Sequence, residues 1–253
     1  MRQLPLGLPA PKQKPRRGRP PLTAAQRRAR GSLVPRVARP EIKARNPLHV
    51  TLRAKRDVPS LRSKGRFVRM REAIRAGAAR FGMRVVQFAV MHDHLHLVVE
   101  AHDKEALTRG MQGLAIRVAK AINRGDRRGK VFRDRYHAVV LDSPRQVRNA
   151  LAYVMLNGRR HDRTHGPVGP ARWIDPFSSG YWFDGWSEDV DALKRTAARH
   201  LDFPEDAPVA APRTWLLGVG WRRVRLIDPS EVPGDRSPEQ RWSARNHSPL
   251  PQG

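Results

Sequence analysis

The chain has 253 residues, a formal net charge of +27 and a pI near 11.7. It contains no cysteine, which excludes disulfides and thiolate metal sites. Such a charge condenses onto a polyanion, so a nucleic acid is the expected partner, with DNA and RNA undecided by charge alone.

Residues 1–45 are rich in Pro and Arg and poor in large apolar side chains. They cannot bury enough surface to offset ordering entropy and read as a disordered basic arm. Pro15 to Pro21, with Arg17 and Arg19 around Gly18, has the form of an AT-hook for a narrow minor groove; a generic phosphate-binding arm is the other reading. No apolar run suits a signal peptide or a membrane span, so the expected location is the cytoplasm, with the nucleoid.

Asn46 to Lys55 alternates as a first strand, with His49, Thr51 and Arg53 on one face. Leu61 to Phe81 reads as a helix with Phe67, Met70, Ile74, Ala78 and Phe81 as its buried stripe, ended by Gly82. Its other face carries Arg66, Arg69, Arg71 and Arg75. Arg84 to Met91 and a strand from His94 form a hairpin. Side chains alternate along that last strand, so His94 and His96 share one face while Leu95, Leu97 and Val99 share the other.

Asp103 to Asn123 is an amphipathic helix buried through Leu107, Met111, Leu114, Val118 and Ile122. Val131 to Leu141 reads as a strand. Ser143 can cap the next helix and Pro144 suits its first turn; the pattern runs to about Arg160. Val147, Ala150, Leu151 and Val154 make its apolar side, whereas Asn149, Tyr153 and Asn157 share another face at intervals of four. All six tryptophans lie beyond residue 170. The expected organisation is an arm (1–45), a catalytic domain (46–165), an accessory region (166–228) and a disordered tail (229–253). Within the accessory region a short helix is expected near 188–200 and a small helical or strand element over 214–227.

Two imidazoles side by side on a strand are two ready ligands for a divalent ion. Such an ion can polarise a scissile phosphate and stabilise a departing 3′ oxygen. Asn157 can add an oxygen ligand. In a phosphate setting this set suits Mg²⁺ or Mn²⁺, though it would also accept Zn²⁺. With no cysteine present, tyrosine is the natural nucleophile, because a phosphotyrosine keeps the energy of the broken diester. Of Tyr136, Tyr153 and Tyr181, Tyr153 is preferred because its helix also carries Asn157.

Met91-His92-Asp93-His94-Leu95-His96-Leu97 resembles the His-hydrophobic-His signature of single-tyrosine transposases. Val131 to His137 is similar to their block ending in Arg-Tyr, and Tyr153 to Asn157 is similar to their catalytic helix. The use of Asn at position 157 resembles the REP-associated tyrosine transposases. Two departures stand out: His92-Asp93 in place of Pro-Asn, and Gly158-Arg159 in place of Pro-Val. The resemblance spans about Asn46 to His161. It implies an α+β fold, a ferredoxin-like antiparallel sheet with helices on one face. It also implies cleavage and rejoining of single-stranded DNA at hairpins, by a monomer or a homodimer. Tyr153 would then form a 5′-phosphotyrosyl link, with His94, His96 and Asn157 on the metal and Arg53, Arg133 and Arg135 on the DNA backbone. The rivals are a non-catalytic, domesticated DNA- or RNA-binding protein and a metal hydrolase using activated water.

Overall fold

The computed structural model describes residues 23, 41–124, 127–165, 172–199 and 201–233, with side chains described for all of these except 159–165. The arm motif with Arg17 and Arg19, and the tail beyond 233, lie outside the described residues.

Leu48–Arg53 forms β1, and every side chain except Arg53 is buried, so both faces of the strand are covered. Lys64–Arg75 forms α1, Ala79–Arg80 a short β2, Met83–Val90 β3, and His94–Ala101 β4. Lys104–Ile122 forms α2, His137–Val140 β5 and Pro144–His165 α3. The sheet order is β2-β3-β4-β1-β5, and all pairs are antiparallel. Leaving out the two-residue β2, the chain runs β1-α1-β3-β4-α2-β5 and the sheet β3-β4-β1-β5. That is the ferredoxin-like arrangement, with β1 and β4 in the middle.

Strand alternation divides the apolar residues between two cores. Leu48, Val50, Leu52, Leu95, Leu97 and Val99 pack with Phe67, Met70 and Ile74 of α1 and Leu107, Met111, Leu114 and Val118 of α2. The two expected helices therefore share one face. Val86, Ala89 and Val98 face the other way and pack with Val147, Leu151 and Val154 of α3. The His face of the sheet is thus roofed by the helix that carries Tyr153.

Local chemistry sets several ends. Asp103 caps α2 by accepting from the Ala106 N–H at 2.6 Å, with Glu105 in the first turn and Lys120 in the last, each favourable to the helix dipole. The predicted first helix is too long. It stops at Arg75, and Ala79–Arg80 pairs with Met83–Arg84 across a two-residue turn. Phe81 (φ 57°) and Gly82 (φ 75°) both lie in the left-handed region, as a type I′ hairpin turn requires. Phe81 is therefore about half exposed rather than part of the buried stripe. The predicted strand over 131–141 shrinks to His137–Val140, with one isolated bridge between Phe132 and Ala54. The Asp134 carboxylate takes the Arg135 N–H at 2.8 Å and holds the chain in an irregular turn there.

Two arginines on the expected basic face of α1 turn inward. Arg71 is buried and donates to the Asp202 carbonyl, and Arg69 Nε donates to the Ala121 carbonyl at 3.1 Å.

Beyond α3 come a 3-10 turn at Ser179–Trp182, α4 (Asp191–Ala198), α5 (Trp215–Gly218) and a second 3-10 turn at Gly220–Arg223. Phe183, Trp186, Leu216, Leu217, Trp221 and Ile227 join the second core, so this region packs on α3. Polar latches fasten it. The Glu100 carboxylate accepts the N–H groups of Arg213 (2.9 Å) and Thr214 (2.7 Å). Arg148 of α3, itself buried, pairs with Glu231. Among the described residues no helix is long and apolar enough to cross a membrane.

Candidate active site

β1 and β4 pair in register with Thr51 opposite His96 and Arg53 opposite His94. His49, Thr51, His94 and His96 are all buried on the face under α3. His94 Nδ1 lies 2.6 Å from Asp93 Oδ1. A carboxylate only accepts, so Nδ1 carries the proton and Nε2 keeps a lone pair. His96 Nδ1 faces His49 Nε2 at 3.1 Å and Thr51 Oγ1 at 3.3 Å, either of which can accept from it. The rear nitrogens of both rings are thus engaged, and their Nε2 atoms converge to 3.0 Å. Two nitrogens about 2.1 Å from one ion at a right angle would stand about 3.0 Å apart.

The hydrogen bond from His94 holds the Asp93 carboxyl down at about 2, against partial burial that pushes it up; the charge on Arg53 adds to the lowering. Asp93 therefore stays ionised at any physiological pH and keeps the His94 proton on Nδ1.

α3 brings Tyr153 over this group. Its ring centroid lies 5.0 Å from that of His96 and 5.7 Å from that of His49, edge-on in both cases. Asn157, one turn further on, is fully buried, and neither Oδ1 nor Nδ2 has a hydrogen-bond partner among the described residues. An unsatisfied buried amide costs about 1–3 kcal/mol. A ligand oxygen is one physical account of why it persists there. Among the described residues no three His, Cys, Asp or Glu groups form a metal cluster, so an ion here would depend on the amide as well as the two imidazoles. Asn149, placed on the same face from spacing, is exposed instead. The other tyrosines serve in packing: Tyr136 is buried in the first core and Tyr181 stacks on Phe203 at 4.2 Å.

Close packing explains one unusual residue on α3. A Cβ at Gly158 would stand 2.3 Å from Asp175 Oδ2, so only glycine lets the helix come this near. Asp175 is 1% exposed and is held bidentately by Arg62, at 2.7 and 2.9 Å. Arg62 also donates to the Val90 carbonyl at 3.0 Å, which ties β3, Asp175 and α3 together.

The profile of the IS200-like transposase family matches residues 44–157, the span that holds β1 to β5, the site histidines, Tyr153 and Asn157. Residues 44–157, a little under half of the chain, carry the domain of the IS200-like transposase family.

Two solved structures are similar in outline. One is a REP-associated tyrosine transposase bound to a REP hairpin, at 15% identity and a TM-score of 0.46, covering 69% of this chain and 93% of that one. The other is a structure assigned as a transposase from Deinococcus radiodurans R1, at 13% identity and a TM-score of 0.33, covering 54% and 100%. None of the curated proteins matches the chain.

The DNA contacts expected from the sequence fall into two groups. Arg53 is exposed at the end of β1 on the His face, and its carbonyl accepts the Arg133 N–H at 2.9 Å, which brings the 131–136 loop alongside. Arg133 and Arg135 are half-buried. The supporting roles of His49, Thr51 and Asp93 are not legible from the motif. Alternation puts His49 and Thr51 on the right face of β1, but only the β1–β4 register puts them behind His96. Asp93 reads as an ordinary turn residue until its contact with His94 is seen.

Proposed function

We propose that this transposase cleaves and rejoins single-stranded DNA at hairpins through a 5′-phosphotyrosyl intermediate on Tyr153. The observation that carries this reading is the convergence of the two Nε2 atoms at 3.0 Å beneath the Tyr153 ring. His94, His96 and Asn157 would hold Mg²⁺ or Mn²⁺. When bound, that ion supplies positive charge that polarises the scissile phosphate. Tyr153 Oη attacks phosphorus, the new O–P bond forms, and the P–O3′ bond breaks. The phenol proton leaves and the departing 3′ oxygen gains one. Rejoining is the reverse: a 3′-hydroxyl attacks the phosphotyrosine and releases Tyr153. One diester replaces another at each step, so no external energy is needed.

Arg53 at the end of β1, with Arg133 and Arg135 in the loop hydrogen-bonded to it, would hold an entering backbone by charge. Arg17 and Arg19 would add affinity from the arm.

The test is incubation with hairpin oligonucleotides bearing single-stranded flanks, with Mg²⁺ or Mn²⁺, read on denaturing gels. A covalent adduct should form, and Tyr153→Phe should abolish it while keeping DNA binding. An adduct that survives the substitution overturns the nucleophile assignment. Binding without any cleavage, insensitive to chelator and to His94→Ala, would point instead to a non-catalytic binding protein.

A further inference from the structure

Trp215 is about half exposed, whereas Phe183, Trp186 and Trp221 of the same C-terminal region are buried in the second core. It lines an open cavity of about 320 Å³ with Arg45, Asn46, Asp142 and Leu216. This cavity lies outside the His–Tyr site, where the start of β1 meets the start of α3.

The indole is held firmly. The Glu100 carboxylate fixes the backbone just before it, the Thr214 side chain caps its short helix, and a Cβ on Gly220 would stand 2.6 Å from the ring. The Arg223 guanidinium lies over the ring at 5.5 Å from its centroid. An exposed aromatic held rigidly is a stacking surface that loses little entropy when a flat ligand lands on it. Around it stand an exposed cation, Arg45, an amide, Asn46, and a carboxylate, Asp142. A carboxylate in a basic chain repels phosphate but accepts from exocyclic amines of bases. An amide can meet a base edge with either atom.

We propose that this cavity binds one unpaired DNA base, stacked on Trp215, with its edge read by Asp142 and Asn46 and its phosphate on Arg45. This rests on the reading that the chain binds single-stranded DNA, and its stacking residue, Trp215, lies beyond the 44–157 span that matches the family. α3 rises from this cavity to Tyr153, so the two places lie about 15 Å apart along one helix. A strand cleaved at Tyr153 can therefore place a neighbouring unpaired nucleotide here. The carboxylate favours cytosine or adenine, which carry exocyclic amines, over thymine, which has none.

The probe is a short single-stranded oligonucleotide of mixed sequence with 2-aminopurine at successive positions, a base whose fluorescence is quenched by stacking. Wild-type protein should quench it. Trp215→Ala should restore the fluorescence and weaken binding by about 5- to 150-fold, the range for loss of one base–aromatic stack. Trp215→Phe should recover part of both. Asp142→Ala should leave the quenching but narrow the preference for cytosine over thymine. Wild-type binding and quenching that survive in Trp215→Ala overturn this site and leave the transposase reading intact. Failure of the wild-type chain to bind any single strand overturns both.

Discussion

Asp93 accepts from His94 Nδ1 and so decides which nitrogen of that ring keeps its lone pair. Partners behind a metal-bound histidine are typically worth 10–100-fold in metal affinity. Asp93→Ala should weaken Mn²⁺ binding by about that factor in a calorimetric titration, with the fold unchanged. The same carboxylate carries a pH signature. Its folded value is lowered to about 2, so its stabilising effect is complete above the unfolded value of about 3.9 and fades as pH falls toward 2. Urea unfolding of wild type and Asp93→Asn should therefore differ at pH 7 and converge by pH 2. The effect is modest, because two-thirds of the side chain faces solvent.

α3 is the element on which the chemistry depends, and its placement is set by contacts on both sides. Glycine in a helix interior costs roughly 0.5–1 kcal/mol relative to alanine, so Gly→Ala there usually stabilises. At Gly158 the sign should reverse, because the new methyl would meet Asp175 at 2.3 Å. Gly158→Ala should lower the melting temperature and reduce adduct formation together, because the clash displaces Asn157 and Tyr153. The Arg62–Asp175 pair tests the same contact from the other side. Breaking a buried ion pair by removing one partner costs about 3–5 kcal/mol. Arg62→Ala should show a loss of that order in chemical denaturation, since Asp175 would be left buried at 1% exposure.

At the scale of the whole molecule, charge governs affinity while the fold governs where it acts. A net charge of +27 predicts binding that weakens steeply with salt, with a log–log slope of about −0.7 for each single-strand phosphate neutralised. Removal of residues 1–45 should make that slope shallower without altering the yield of adduct at saturating DNA. The C-terminal region packs on α3 through Trp221, Leu217 and the Arg148–Glu231 pair. Two of the tryptophans beyond residue 170, Trp186 and Trp221, thus help to cover a helix face that the sheet alone leaves open.

The sequence by itself determined the strand alternation that sets His94 beside His96, the apolar stripe of α2, the spacing of Tyr153 and Asn157, and the charge. These follow from local geometry, since periods of two and 3.6 residues fix faces before any tertiary contact forms. Only the tertiary structure decided that α1 ends at Arg75, because the Phe81–Gly82 turn pairs β2 with β3. It also decided that His49 and Thr51 support His96, that α3 roofs the site, and that Arg71 points inward. Each of these depends on which residues meet across the sheet, and register joins positions more than forty residues apart that no local pattern connects.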